Sequence, residues 1–136
     1  MANSAFTLTS GGASIPPVLR QYTSNASFLK PTSTKFQGIW IQAVGGGGGG
    51  GAGRAGVTTK SAGGGGEGAA MVTMWIPAAS LPATGSISIG LGGAGGVGNL
   101  ATGSNGGHTT FDALMVARGG AGGPSATSTP SSTNSN

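Results

Sequence analysis

Apolar and polar residues alternate along several short segments of the chain, and this alternation predicts β-strands. Residues 22–31 and 86–91 place apolar side chains mainly on one parity and Ser, Thr or Asn mainly on the other, as expected for strands with one buried face. In the second segment Ile87, Ile89 and Leu91 are expected to face inward. A last strand is predicted over residues 109–117, with Phe111, Ala113 and Met115 on one face.

Two further segments are apolar on both faces. Residues 39–44 and 71–76 carry large apolar side chains on each parity, including Trp40 and Trp75. Strands of this kind are buried on both sides or lie in an interface between chains. Gly, Pro or β-branched residues interrupt every window that could form a helix, so we predict an all-β, sandwich-like domain without a substantial helix.

Glycine blocks separate these strands, at residues 45–51, 63–66, 90–98 and 119–123. Ordering one residue costs about 1–2 kcal/mol, and one hydrogen bond returns about 0.5–1.5 kcal/mol, so a single glycine run would stay a flexible linker. Several runs packed side by side in a polyproline II geometry would pair their backbone groups cooperatively. We therefore predict polyglycine II packing. Its structural residues are Gly45, Gly46, Gly47, Gly48, Gly49, Gly50, Gly51, Gly63, Gly64, Gly65 and Gly66.

Composition narrows the function classes. The 136 residues include 31 Gly, six Lys or Arg, two Asp or Glu and no Cys, which excludes disulfides and cysteine-based zinc sites. The basic residues are scattered singly, so we expect no nucleic-acid partner. Pro77 and Pro82 interrupt the most apolar stretch, residues 68–83, which is too short to span a bilayer. We expect no membrane insertion.

The motifs with catalytic associations are weak here. Residues 51–56, GAGRAG, formally match a dinucleotide-binding fingerprint, but the sequence that follows cannot form the helix on which the pyrophosphate would sit. Residues 57–61 lack the glycine that precedes the lysine of a phosphate-binding loop. One His, one Asp and one Glu offer neither a carboxylate pair nor a metal cluster. We therefore expect no enzyme activity, no cofactor and no metal.

The order of strands and glycine blocks resembles a known family. The segments YTSNASFLKP, IWIQAVGGGGGGGAG, GGGGEGAA, IPAASLPATGSISIGLGGAGG and GGHTTFDALMVARGGAGG are similar to the glycine-rich domain at the ends of bacteriophage tail fibres and tail-tip adhesins. The resemblance covers about residues 21–123. It implies a small β domain mounted on a virion, with polyglycine II packing in some members, that contacts the bacterial surface.

The chain is predicted to have three parts. Residues 1–20 form an arm that Pro16 and Pro17 favour as extended, residues 21–123 form the glycine-rich domain, and residues 124–136, with no apolar residue larger than alanine, form a solvated Ser/Thr/Pro tail. The resemblance implies that the arm docks to other virion proteins. The segments 52–62 and 97–110 would display loops to a surface glycan or an outer-membrane protein. Their candidate receptor-binding residues are Arg54, Lys60, Asn99, Asn105 and His108.

Two alternatives remain open at this point. A purely structural virion protein, such as a head fibre, capsid-surface protein or tail connector, would use the same domain as a rigid spacer. A homotrimer would use the doubly apolar segments as its interface and fits either role. An ice-binding or cell-wall glycine-rich protein is disfavoured, because no signal sequence and no regular spacing are recognisable.

Overall fold

The computed structural model describes residues 18–54 and 60–126 and confirms an all-β fold. Most of the predicted arm, residues 55–59 and most of the predicted tail lie outside the described residues. One turn of 3₁₀-helix, Ala78–Ser80, follows the third strand. The strands are β1 (Ala26–Leu29), β2 (Gly38–Val44), β3 (Met71–Pro77), β4 (Thr84–Ser88), β5 (Thr109–Phe111) and β6 (Met115–Ala117).

The strands form two antiparallel sheets around one small core. One sheet has the order β1-β4-β5-β6, and the other is the β2–β3 pair. Phe28 and Phe111 meet edge to face, with ring centroids 5.6 Å apart, the arrangement favoured by aromatic quadrupoles. The other large side chains buried in this core are those of Ile76, Leu81 and Met115. This core occupies one end of the domain, which we call the proximal end.

The prediction of one continuous strand over residues 109–117 was wrong, because this segment forms two strands, β5 and β6. The chain reverses between β5 and β6, with Asp112 in the left-handed region (φ 44°) and the Leu114 amide donating to the Phe111 carbonyl over 3.0 Å. The Asp112 carboxylate accepts the amide of Ser86 over 2.8 Å, which fixes the turn against β4. Phe111 and Met115 still share the core, because they pair across the new hairpin.

The doubly apolar segments are not buried on both sides. Ile39, Ile41 and Ala43 pack toward the core, whereas Trp40 and Val44 on the opposite parity are exposed. Leu91 also departs from its predicted inward position and is 79% exposed, because the strand ends at Ser88 and the chain then leaves the two-residue repeat. The interface interpretation of the doubly apolar segments stays a prediction.

Beyond the strands, five extended runs form a slab held by backbone hydrogen bonds. They are run 1 (44–54), run 2 (61–70), run 3 (90–97), run 4 (101–108) and run 5 (118–126). Four of them contain the predicted glycine blocks. Run 4 contains none of these blocks and lies within the segment 97–110, for which the resemblance predicts a display loop. The bond between the Ala126 amide and the Ala52 carbonyl carries the slab three residues past the predicted boundary at 123.

The hydrogen bonds of run 1 repeat every third residue. The amides of Gly45, Gly48, Gly51 and Arg54 donate to run 2, and those of Gly46, Gly49 and Ala52 donate to run 4. The carbonyls of Gly47 and Gly50 accept from run 3, and those of Gly46, Gly49 and Ala52 accept from run 5. A three-residue repeat without bonds inside the run is the property of a polyproline II helix. The polyglycine II prediction is therefore supported by the ladder itself.

Each strand pair continues into a pair of runs without a change of register. Gly38 lies opposite Pro77 and Val44 opposite Met71 in the β2–β3 ladder, and the same antiparallel alignment continues to the bridge between Arg54 and Ser61. The β4–β5 and β5–β6 ladders continue in the same way into runs 3 and 4 and into runs 4 and 5. Side-chain packing at the proximal end thus sets the alignment of glycines that have no side chains.

Run 1 lies at the centre of the slab. Runs 2, 5, 4 and 3 surround it in an arc, because each bonds to run 1 and neighbouring members of the arc bond to one another. A Cβ on Gly46 would overlap the carbonyl of Leu91, and one on Gly48 that of Ala121. Glycine is required at such positions because a neighbouring backbone occupies the space of a side chain.

One hydroxyl joins the strand end to the glycine slab. Buried Thr109 donates from Oγ1 to the Val44 carbonyl over 2.7 Å and accepts the Gly90 amide over 3.0 Å. Farther along the slab, direct bonds link the Gly93 amide to the Gly47 carbonyl and the Gly96 amide to the Gly50 carbonyl. The hydroxyl therefore takes the place of a direct bond between Gly90 and Val44, which is the preceding pair of this series. Without it, two polar backbone groups at the junction would lose their partner.

Candidate functional site

The turn at residues 97–100 lies at the end of the slab farthest from the core, which we call the distal end, together with the ends of runs 1 and 2. The amide of Arg54 donates to the Ser61 carbonyl over 2.8 Å, and that of Leu100 donates to the Gly53 carbonyl over 3.3 Å. The loop at 97–100 therefore lies against the end of run 1. Loops held by a rigid scaffold are where binding residues concentrate.

The five predicted site residues separate into two groups. Arg54, Lys60 and Asn99 all belong to the distal end, where Lys60 and Asn99 are exposed and Arg54 is half-buried. Asn105 and His108 instead lie along run 4. The structure thus brings three of the five together.

Asn105 and His108 extend the ladder between runs 4 and 5. The Asn105 side-chain oxygen accepts the Gly122 amide over 2.8 Å, and His108 Nδ1 accepts the Gly119 amide over 3.0 Å. These bonds alternate with direct bonds from Gly103 and Gly106 to the carbonyls of run 5. Both side chains are exposed, so the bonds give them a structural role without hiding them from a partner.

Val97 and Leu100 belong to the distal surface but were not among the candidate residues. Val97 is 90% exposed, and Leu100 has a left-handed backbone (φ 59°) next to Gly98 (φ 88°). A left-handed leucine is uncommon, and such conformations concentrate at functional sites. The signal available in the sequence was the VGNLA segment itself, where Gly and Asn favour a tight turn between two apolar residues.

The distal end carries positive charge. Arg54 and Lys60 lie there, whereas the two acidic residues, Glu67 and Asp112, lie in run 2 and in the β5–β6 turn. A surface with two cations, an amide and two apolar side chains suits a partner with phosphate or carboxylate groups beside an apolar patch.

The remaining chemistry of the described residues is sparse. Within 18–54 and 60–126, no three His, Asp or Glu side chains come close enough to hold a metal ion. In the same ranges no helix has the length and hydropathy needed to cross a membrane. A shallow depression at the proximal end has Lys30 in its wall, and that ammonium donates to the Leu81 carbonyl over 3.2 Å.

Comparison with known proteins gives one match. The model of a family described as a glycine-rich domain matches residues 23–136, which include every strand and every run of the slab. Comparisons with curated proteins and with solved structures found no match.

Proposed function

We propose that this chain, which belongs to the glycine-rich domain family, is a non-catalytic virion protein of a bacteriophage, at the tail fibre or tail tip, that contacts the host cell surface. The proposal rests on its resemblance to the glycine-rich domains of phage tail fibres and on the surface at the distal end. In this proposal the glycine slab is the rigid support and the distal end is the contact surface. The proximal end faces the rest of the particle, and the arm at residues 1–20 docks to other virion proteins.

The observation that carries the proposal is the distal surface itself. The loop at 97–100 exposes Val97 and Leu100 at the same end of the slab as Arg54 and Lys60, and backbone bonds anchor the loop on run 1. A preorganised loop binds with a smaller entropic cost than a flexible one. Cations on the surface favour encounter with the phosphates of a bacterial surface glycan or with acidic loops of an outer-membrane protein.

Adsorption of the purified protein to a panel of bacterial strains tests this proposal. The labelled chain should bind susceptible strains in a saturable manner, and the double variant Arg54→Glu with Lys60→Glu should bind at least tenfold more weakly. The double variant Lys35→Glu with Arg118→Glu is the control of matched charge, because both residues are exposed and lie in the β1–β2 loop and directly after β6, away from the distal end. Equal losses in both variants would point to net charge, and binding to no strain would favour the structural spacer.

A further inference from the structure

Run 1 has one row of carbonyls that no described residue uses. The carbonyls of Gly46 and Gly49 accept from run 5, and those of Gly47 and Gly50 accept from run 3, whereas the carbonyls of Gly45, Gly48 and Gly51 accept from no donor among the described residues. Three residues per turn place these rows on three sides of the run. Runs 3 and 5 occupy two of the sides. On the third, Gly66 and Gly63 of run 2 flank the carbonyls of Gly48 and Gly51, but no run among the described residues donates to them, and we call this row the open row.

The glycines beside this open row, Gly47 and Gly50, are not crowded by any described residue. A Cβ on Gly47 would lie 3.8 Å from the Glu67 carbonyl, and one on Gly50 would lie 3.6 Å from that of Gly64, both ordinary contacts. On the two occupied sides a Cβ on Gly46 or Gly48 would overlap backbone. Gly47 and Gly50 thus leave room for another backbone to approach run 1 on this face.

The same row continues onto exposed apolar residues of the strands. Val44 lies one turn before Gly47 and is 55% exposed, and its cross-strand partner Met71 is 64% exposed. Trp40 lies on the same face of β2 as Val44, because side chains alternate along a strand. Contiguous exposed apolar side chains mark interaction surfaces. An apolar surface and an open hydrogen-bonding row therefore meet on one face.

The two parallel neighbours of run 1 show what such a row binds. Run 3 contains Leu-Gly-Gly-Ala-Gly-Gly at 91–96, and run 5 contains Arg-Gly-Gly-Ala-Gly-Gly at 118–123. In both, the second glycine of each triplet donates to run 1, at Gly93 and Gly96 or at Gly120 and Gly123. The carbonyl of the non-glycine residue covers a bare glycine of run 1. Both runs thus bind run 1 through the same X-Gly-Gly triplet, aligned in the same way.

We propose that this open row is a docking site for a third parallel segment, supplied by a partner chain with a repeated X-Gly-Gly triplet in polyproline II conformation. Its second glycines donate to the carbonyls of Gly48 and Gly51, and its X carbonyls pack over Gly47 and Gly50. Apolar residues that precede the triplets in the partner would cover Val44 and Met71. This inference does not depend on the proposed host contact.

Titration of the isotope-labelled full chain with a capped peptide of sequence RGGAGGP, that of residues 118–124, tests the site by nuclear magnetic resonance. Saturable shifts confined to residues 47–51 and their neighbours in run 2 are expected. The double variant Gly47→Ala with Gly50→Ala should weaken binding at least tenfold while its unfolding temperature stays near that of the wild type. Thr102→Ala, on exposed run 4, is the control with unchanged affinity.

A second peptide isolates the hydrogen bonds. With the second glycine of each triplet replaced by N-methylglycine, the peptide lacks the donating amides and should not shift these resonances. Equal binding of both peptides, or no saturable shift with the first, would overturn the proposal. Sedimentation showing that a second copy of the chain covers the row, with the same loss in the double alanine variant, would overturn the choice of partner.

Discussion

The proximal and distal halves of this domain share one register but are stabilised in opposite ways. In the strand half, side chains such as Phe28, Phe111 and Ile76 fill the core. In the glycine half, the buried positions of run 1 are Gly46 and Gly49, and hydrogen bonds of the backbone, with two side-chain acceptors at Asn105 and His108, hold the runs together. The strand half should therefore fail when a side chain is removed, and the glycine half when one is added.

The largest effect is expected from a side chain placed inside the slab. In Gly48→Val the new Cβ would overlap the Ala121 carbonyl, which belongs to a hydrogen-bonded neighbouring run. We expect a loss of more than the roughly 1–3 kcal/mol of ordinary overpacking, enough to abolish a cooperative thermal transition. Ser86→Ala, on an exposed strand position, should change stability by less than about 0.5 kcal/mol. Equal melting of the two variants would contradict the slab.

The converse change belongs to the strand half. Phe111→Ala removes a ring that is 3% exposed and packs on Phe28, so we expect a loss of about 3–5 kcal/mol in chemical denaturation. Val116→Ala on the adjacent strand is the control, because its side chain is half exposed. A small loss for Phe111→Ala would mean that the slab folds without the core and sets its own register.

A smaller effect is expected at the junction of the halves. Thr109→Val keeps the shape of the side chain but leaves the Val44 carbonyl and the Gly90 amide without the hydroxyl that bridges them. Unsatisfied buried groups cost about 1–3 kcal/mol. Thr110→Val, one residue along the same strand, is the control for the change of hydroxyl to methyl. Equal stability of the two variants would show that the bridge does not couple the halves.

The sequence predicts β1 because alternation leaves a mark at every second residue, with Ala26 and Phe28 on the more buried parity. It predicts a packed glycine slab but not its register, since the seven identical glycines at 45–51 do not indicate which amide faces which run. A clearer mark was present elsewhere. Leu91, Ala94 and Val97, like Arg118, Ala121 and Pro124, stand three residues apart between glycine pairs, which is the period of polyproline II.

The segment 97–110 shows a case in which the predicted loop was too long. The resemblance implied a display loop over the whole segment, but the amides of Gly103 and Gly106 donate to carbonyls of run 5, so residues 101–108 belong to the slab. Only residues 97–100 remain as a turn. The distal position of Arg54 and Lys60 depends on the register of β2 and β3, so local sequence alone could not place them beside that turn.

Amide hydrogen exchange along run 1, resolved residue by residue, tests the central claim most directly. The account predicts a period of three. The amides of Gly45, Gly46, Gly48, Gly49, Gly51 and Ala52 should exchange slowly because they donate to neighbouring runs, and those of Gly47 and Gly50 should exchange rapidly. Uniformly rapid exchange, or protection that alternates every second residue as in a strand, would contradict the polyglycine II slab.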